Sequence, residues 1–357
     1  YSIIKIMSSI AKHLGISNIK SLDSEIICYI DKNCSNDFIS QSILLKTSNK
    51  FNIEVLDRKE KCIINLSRLN NVRRVNKFIE AVNQKLVMGG VYIGCAETIA
   101  DRKEKLFRKY PWIILMIIHP LDFIYKRVIP KLPLIKRAYF AITNGHNRLM
   151  SKAEILGRLI SCGFKIENIQ TISGRMYFSA RKINKPTFDM DVSYGPIFKM
   201  RRIGKDKNKI NVYKLRTMHP YAEYLQDFII NENKLQDSGK IANDYRITSW
   251  GRVFRKMWID ELPMLINWVK GDLKLFGVRP LSQSYFNRYP IHLQELRTKT
   301  KPGLVPPYYA DLPKSWEEII DSEERYLNAY LKHPFSTDVK YFFKACYNII
   351  IKGKRSG

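Results

Sequence analysis

Two adjacent carboxylates, Asp260 and Glu261, stand directly ahead of Leu262-Pro263 in the stretch Trp250 to Pro280, WGRVFRKMWIDELPMLINWVKGDLKLFGVRP. Proline disfavours helix at the residue before it and suits the first helical position. The spacing therefore predicts a helix from about Pro263 to Lys270, closed by Gly271. The pair then lies just ahead of that helix's N-terminus, where unpaired N–H groups and the helix dipole favour anions. An aspartate held there is expected to stay ionised at neutral pH, as a nucleophile or metal ligand must. Arg252, Arg255 and Lys256 precede the pair and Arg279 follows it. Carboxylates ringed by cations suit an anionic substrate held with a hard divalent metal. A solvated Asp-Glu at a helix start explains the local pattern equally well.

The elements that must position the pair begin upstream. IFKMRR (197–202) and KINVYKLR (209–216) read as two strands, with GKDKNK (204–209) as the turn of a β-hairpin. Alternation along these strands would aim Lys199, Arg202, Lys214 and Arg216 at one region. A pyrophosphate needs two or three such cations, and arginine supplies a bidentate fork. A basic hairpin that is simply solvated, or that rests on lipid headgroups, is the competing reading. Downstream, QSYFNRYPIHLQELRTKT (283–300) has helical spacing, and Lys301-Pro302-Gly303 reads as a tight turn.

Taken in order, YGPIFKMRRIG (194–204), VYKLRTM (212–218), RITSWGRVFRKMWIDELPMLIN (246–267), KGDLKLFGVRP (270–280) and TKPGL (300–304) resemble the bacterial sugar transferases, the monotopic phosphoglycosyl transferases. The resemblance implies transfer of a phosphosugar from a UDP-sugar to polyprenyl phosphate at the cytoplasmic face of the inner membrane, the step that initiates exopolysaccharide, capsule, O-antigen or glycan assembly. It implies a mostly helical α+β domain with a short β-hairpin. Asp260 corresponds to the family's nucleophile, which carries the phosphosugar covalently after UMP leaves. Glu261 is its partner, and both carboxylates would hold Mg2+. Lys199, Arg202, Lys214, Arg216, Arg255, Arg279 and Lys301 are the expected substrate-binding residues. Two features depart from the family. Met200 and Arg201 stand where Gln and Glu are usual, and the polar RKINKPTFDMDVS (181–193) replaces the apolar membrane-entering helix.

The composition fits such a substrate. Lys and Arg number 61 against 33 Asp and Glu, giving a formal net charge of +28 and a pI near 9.8. That balance favours anionic partners: phosphorylated substrates, an anionic membrane surface or nucleic acid. No zinc finger, RNP-type strand or other nucleic-acid module is recognisable, so no nucleic-acid partner is expected. The six cysteines are scattered without a CxxC pair, which argues against a zinc site or disulfide framework. Two non-catalytic readings stand beside the enzyme: a basic scaffold in a polysaccharide-assembly complex, and an anionic-polymer-binding protein.

At 357 residues the chain should hold two domains, 1–185 and 186–357. In the first, SIIKIMSSIAKHLGI (2–16) has amphipathic spacing and FNIEVLD (51–57) reads as a strand. KCIINL (61–66) is a buried strand, RLNNVRRVNKFIEAVNQKL (68–86) a helix, Met88-Gly89-Gly90 a turn and VYIGCAE (91–97) a second strand. Strand, helix, strand is a βαβ unit, so an α/β domain with a partly parallel sheet is expected. Ser151 and Glu154 should form a capping box opening a helix that Gly163 ends, with FKIENI leading into a strand. CGF entering a strand and LVMGGVYIG resemble the later part of S-adenosylmethionine-dependent methyltransferases, but no glycine-rich cofactor loop occurs in residues 1–60. The implied first domain is methyltransferase-like, degenerate and non-catalytic.

Within that domain KYPWIILMIIHPLDFIYKRVIPKLPLIKRAYF (109–140) is aromatic, proline-broken and flanked by lysine and arginine. Its unbroken apolar run, Trp112 to Ile118, is far short of the roughly 20 residues that span a bilayer. It reads either as a segment lying in the interface of an anionic membrane or as a buried helix with a basic loop. The last helix, ending near Ile350, sets Phe342, Phe343, Ala345, Tyr347, Ile349 and Ile350 against Lys340, Lys344 and Lys352, and is expected to pack on the body.

Overall fold

The computed structural model describes residues 23–34, 42–132, 134–188, 195–226, 228–229 and 244–351. The amphipathic stretch 2–16 and the polar segment 231–243 lie outside the described residues. The chain forms two compact units. Unit 1 comprises 1–194 and 218–247; unit 2 comprises 195–217 and 248–357. Where the sequence draws one boundary at 185/186, the chain passes between the units at 194/195, 217/218 and 247/248.

Unit 1 is an α/β body around a five-stranded sheet. Its elements are α1 (Ser24–Asn33), β1 (Ser42–Leu45), β2 (Glu60–Arg68), α2 (Val75–Lys85), β3 (Leu86–Ala96), α3 (Ile99–Lys109), α4 (Trp112–Phe123), α5 (Lys136–Thr143), α6 (Lys152–Ser161), β4 (Phe164–Ile172) and β5 (Arg175–Lys182). The strand order is β1-β2-β3-β5-β4. β1, β2 and β3 run parallel, and β5 and β4 close the edge as antiparallel strands. Both faces of the central strands are covered, which is why they read as near-continuous apolar runs. Ile63, Tyr92 and Phe178 face a core shared with α2 and α6, while Cys62, Ile64, Val91 and Ile93 face Ile26, Tyr29 and Ile30 of α1.

Several local expectations change here. FNIEVLD is not a strand: Phe51–Glu54 forms one helical turn. The Met88-Gly89-Gly90 turn is a bulge inside β3, because the register moves from Glu60↔Leu86 to Cys62↔Val91. Gly89 takes φ +76°, which glycine alone adopts without strain. Ser151 does cap α6 by accepting the Glu154 N–H. The Glu154 carboxylate does not return to Ser151, however. It is buried and takes ion pairs from Arg127 and Arg158. Gly163 ends the helix at φ +85°, as expected. Ala222–Leu225 forms a 3-10 turn, and Gln226, Phe228 and Ile229 after it are helical. Tyr221, Leu225 and Ile229 are buried in unit 1, with the Tyr221 hydroxyl 2.5 Å from Asn76 Nδ2 and Arg158 over its ring. That burial is the physical reason 218–247 belongs to unit 1.

Unit 2 contains the hairpin β6 (Ile197–Ile203) and β7 (Lys209–Leu215), then α7 (Ser249–Lys256), α8 (Met264–Val269), β8 (Lys274–Phe276), α9 (Ile291–Thr298), β9 (Gly303–Val305), α10 (Trp316–Lys332) and α11 (Pro334–Ile350). Pro290 caps α9, so 283–300 is broken rather than one helix. Gly303 opens β9, which pairs parallel with β8, so the expected turn there is a strand start. Ala345, Phe342 and Ile349 place α11 on the unit's core with Phe276, Leu293 and Tyr326, while Phe343 and Tyr347 stay exposed.

Candidate active site

The carboxylate pair occupies a 3-10 turn, Ile259–Glu261, between α7 and α8. Trp258 enters it at φ +55°, a left-handed conformation unusual for a bulky side chain. Its ring stands edge-on to Tyr309 at 5.3 Å. Pro263 then caps α8, and Gly271 ends it at φ +75°, close to the helix read from the sequence. Each neighbouring element is tied down. Thr248 caps α7 and reaches the Thr217 carbonyl through both its N–H and its Oγ1, at 3.0 Å each. A Cβ on Gly251 would strike that same carbonyl, so glycine is required. Asn267 of α8 is fully buried: it accepts the Tyr213 N–H at 2.9 Å and donates to the Asn211 carbonyl at 2.6 Å. These bonds clamp α8 onto β7.

The clamp brings the dyad to the hairpin. Lys214 Nζ lies 2.5 Å from Glu261 Oε1. Asp260 is buried, and burial raises its carboxyl above the ordinary value, with the Glu261 charge adding to the rise and Lys214 and Arg255 opposing it. The rise runs against the downward pull expected from a helix N-terminus. α8 is one and a half turns long, and desolvation outweighs its end.

A cavity of about 830 Å³ is lined by Glu261, Lys214, Arg202 and Arg279, while the neighbouring Asp260 is buried and does not line it. Arg202 and Lys214 share a face of the hairpin with Met200 and Val212, which line the same cavity. Lys199 pairs with Tyr213 on the opposite face, so the expected convergence excludes it. Arg216 follows β7, donates to the Gly195 carbonyl at 3.0 Å and lies over Phe198, outside the lining. Arg255 is bonded to Thr217 Oγ1 at 2.8 Å, within electrostatic reach of Asp260. Lys301 is exposed near Gly271 and does not line the cavity. Arg279 donates to the Tyr308 hydroxyl at 3.3 Å, and Tyr308 chiefly raises its pKa further.

The far wall of the cavity is aromatic. Tyr285, Tyr289, Tyr308, Tyr309 and Trp316 line it, and sequence reasoning missed all five. The signal was present as the clusters SYFNRYP, PPYYA and KSWEE, which resemble ordinary core-forming residues until the fold gathers them. Such rings offer flat faces for a sugar or a nucleobase, beside cations suited to phosphate. Arg297 supports this wall from behind, paired with buried Glu323 and donating to the Arg279 carbonyl at 2.6 Å.

Among the described residues no group of three or more His, Cys, Asp or Glu is placed to hold a metal. Asp260 and Glu261 offer carboxylates from two residues. That donor set fits Mg2+, which commonly takes one or two carboxylates together with water and substrate phosphate oxygens. Leu262, Leu265, Ile266, Trp268 and Val269, beside the dyad, are exposed apolar side chains.

Residues 187–352 match the family described as bacterial sugar transferase. A galactosyl transferase, CpsE, of Streptococcus agalactiae serotype III is 32% identical over 139 residues, 38% of this chain and 31% of that protein. An uncharacterized sugar transferase, EpsL, of Bacillus subtilis is 34% identical over 124 residues, 35% of this chain and 50% of that protein. An undecaprenyl-phosphate galactose phosphotransferase of Salmonella typhimurium is 37% identical over 101 residues, 27% of this chain and 21% of that protein. The chain thus spans half or less of the length of these relatives. Among solved structures, an S-adenosylmethionine dependent methyltransferase from Mesorhizobium loti shares 15% identity at a TM-score of 0.24, covering 40% of this chain and 81% of that one. At that score the topology of unit 1 rests on its own strand order.

Proposed function

We propose that this chain, whose residues 187–352 are those of a bacterial sugar transferase, transfers a phosphosugar from a UDP-sugar to polyprenyl phosphate. The observation that carries the reading is a cavity lined by Glu261, the chain neighbour of Asp260, together with Arg202, Lys214, Arg279 and five aromatic rings. The names of the relatives support it, since they act on undecaprenyl phosphate or carry sugar-transferase names.

In this reading Asp260 in its carboxylate form attacks the β-phosphorus of the UDP-sugar. An Asp260–phosphorus ester forms, the bond from that phosphorus to the bridging oxygen breaks, and UMP leaves with the electron pair. An oxygen of polyprenyl phosphate then attacks the same phosphorus, regenerating the carboxylate and giving a polyprenyl diphosphosugar. Arg202 and Arg279 hold the diphosphate charge, and Lys214 orients Glu261 beside it. Mg2+, held by Asp260 and Glu261, would supply charge neutralisation of the diphosphate. The exposed apolar side chains of α8 offer a surface for the polyprenyl chain. The membrane-bound acceptor puts the enzyme at the cytoplasmic face of the inner membrane. Unit 1 is read as a methyltransferase-like scaffold, which its parallel β1-β2-β3 and antiparallel β5-β4 edge support, and as non-catalytic on the lack of a glycine-rich loop in the sequence of residues 1–60.

The test is mass spectrometry after incubation with a panel of UDP-sugars and Mg2+. A phosphosugar adduct on the peptide carrying Asp260, absent from Asp260→Asn, is the expected result. UMP release without any adduct, under conditions that trap it, overturns the covalent step, and no release with any UDP-sugar overturns the reaction.

A further inference from the structure

Helix α4 buries only Leu115. Trp112, Ile113, Met116, Ile117 and Leu121 are each 60% exposed or more. At about 3.6 residues per turn, these positions share one face about half the helix round, with buried Leu115 on the opposite side. That face is broader than the i, i+3, i+4, i+7 stripe that fills a groove in a partner protein, and a broad apolar face flanked by cations suits the interface of a bilayer. The exposure continues beyond α4 in Leu134, Ile135 and Ile142. Twelve residues reach about 18 Å, against about 30 Å of bilayer hydrocarbon. The helix is thus too short to cross, and Pro120 interrupts it before a π-helical turn, Ile124–Val128.

The charge around it is complementary to anionic lipid. Residues 99–143 carry ten Lys or Arg against three Asp or Glu. Lys105, Arg108 and Lys109 are exposed before α4, and Lys136 and Arg137 after it. A separate cavity of about 410 Å³ in unit 1 is lined by Arg73, Arg74, Lys126, Lys131, Lys136 and Arg148, three of them from this same segment. Its two buried acids are already engaged, Glu154 by Arg127 and Arg158 and Glu80 by Lys77, and Lys126 pairs with Asp122.

We propose that residues 112–142 insert into one leaflet of an anionic bilayer, with neighbouring lipid headgroup phosphates drawn to the cations of the adjoining cavity. This goes beyond the transferase reading and does not depend on it. Vesicle flotation of the full chain tests it, with phosphatidylcholine vesicles with and without phosphatidylglycerol. Trp112→Glu with Ile117→Glu should weaken partitioning by roughly tenfold or more. Lys136→Glu with Arg137→Glu should remove the preference for phosphatidylglycerol. Brominated lipid should quench wild-type tryptophan fluorescence, and quench it less in Trp112→Phe. Unchanged partitioning in the Trp112/Ile117 variant, or equal quenching in Trp112→Phe, overturns the proposal. So does a result in which that variant only converts a dimer to a monomer by sedimentation while vesicle binding persists, since the face is then a contact between copies. Asp260→Asn should float like wild type, and the Trp112/Ile117 variant should release UMP normally in detergent, so either idea can fail alone.

Discussion

In the proposed reaction Asp260 is the attacking group, and its surroundings decide how it behaves. Replacement by Asn keeps the size and removes the nucleophile, so UMP release should fall on the order of 10⁴-fold, read by a coupled UMP assay. Lys214→Met leaves Glu261 without its 2.5 Å partner and takes a cation from the cavity. A loss of roughly 10²–10³-fold in kcat is expected, with the fold intact by circular dichroism. The sequence showed the dyad because Asp-Glu-Leu-Pro is a contiguous pattern. It did not show the sign of the Asp260 shift, because desolvation comes from side chains that are distant in sequence. Nor could spacing reveal that Lys199 turns away: strand parity separates it from Arg202 and Lys214 only once the register Lys199↔Tyr213 is known.

At the scale of elements, the site depends on a few contacts between segments. Asn267 joins α8 to β7 through two backbone bonds. Asn267→Leu strands those partners in the interior and should cost about 1–3 kcal/mol in urea unfolding, with activity lost before the fold. Gly303 backs directly onto Gly277, and an added Cβ would overlap that residue's backbone. Gly303→Ala should therefore separate β8 from β9 and destabilise unit 2 by about 1–3 kcal/mol. Helix ends marked by Ser151, Gly163 and Gly271 were legible, since caps are local. The aromatic wall was not, since Tyr285, Tyr308 and Trp316 converge only after β8, β9 and α10 are assembled.

The whole molecule has its own pH response. Burial, helped by Arg127, lowers the pKa of His219 from 6.5 to about 4, with Glu154 opposing. The unfolded imidazole therefore binds a proton that the folded one refuses, and stability should fall as pH drops from 6.5 towards 4, then level off. Urea midpoints across that range should show the slope, and His219→Gln should remove it. The α/β class and βαβ unit of unit 1 were readable from periodicity. The allocation of 218–247 was not, because it turns on Tyr221 meeting Asn76 and Arg158.

That excursion has a consequence for anyone wishing to handle the halves separately. A gene fragment starting at codon 186 would encode Tyr221, Leu225 and Ile229 without the layer that shelters them. Such a fragment should precipitate, while one whose 218–247 loop is replaced by a short glycine-serine bridge should remain in the supernatant after ultracentrifugation. Shuffling of these modules by a single recombination breakpoint is foreclosed, because the thread doubles back before unit 2 is finished.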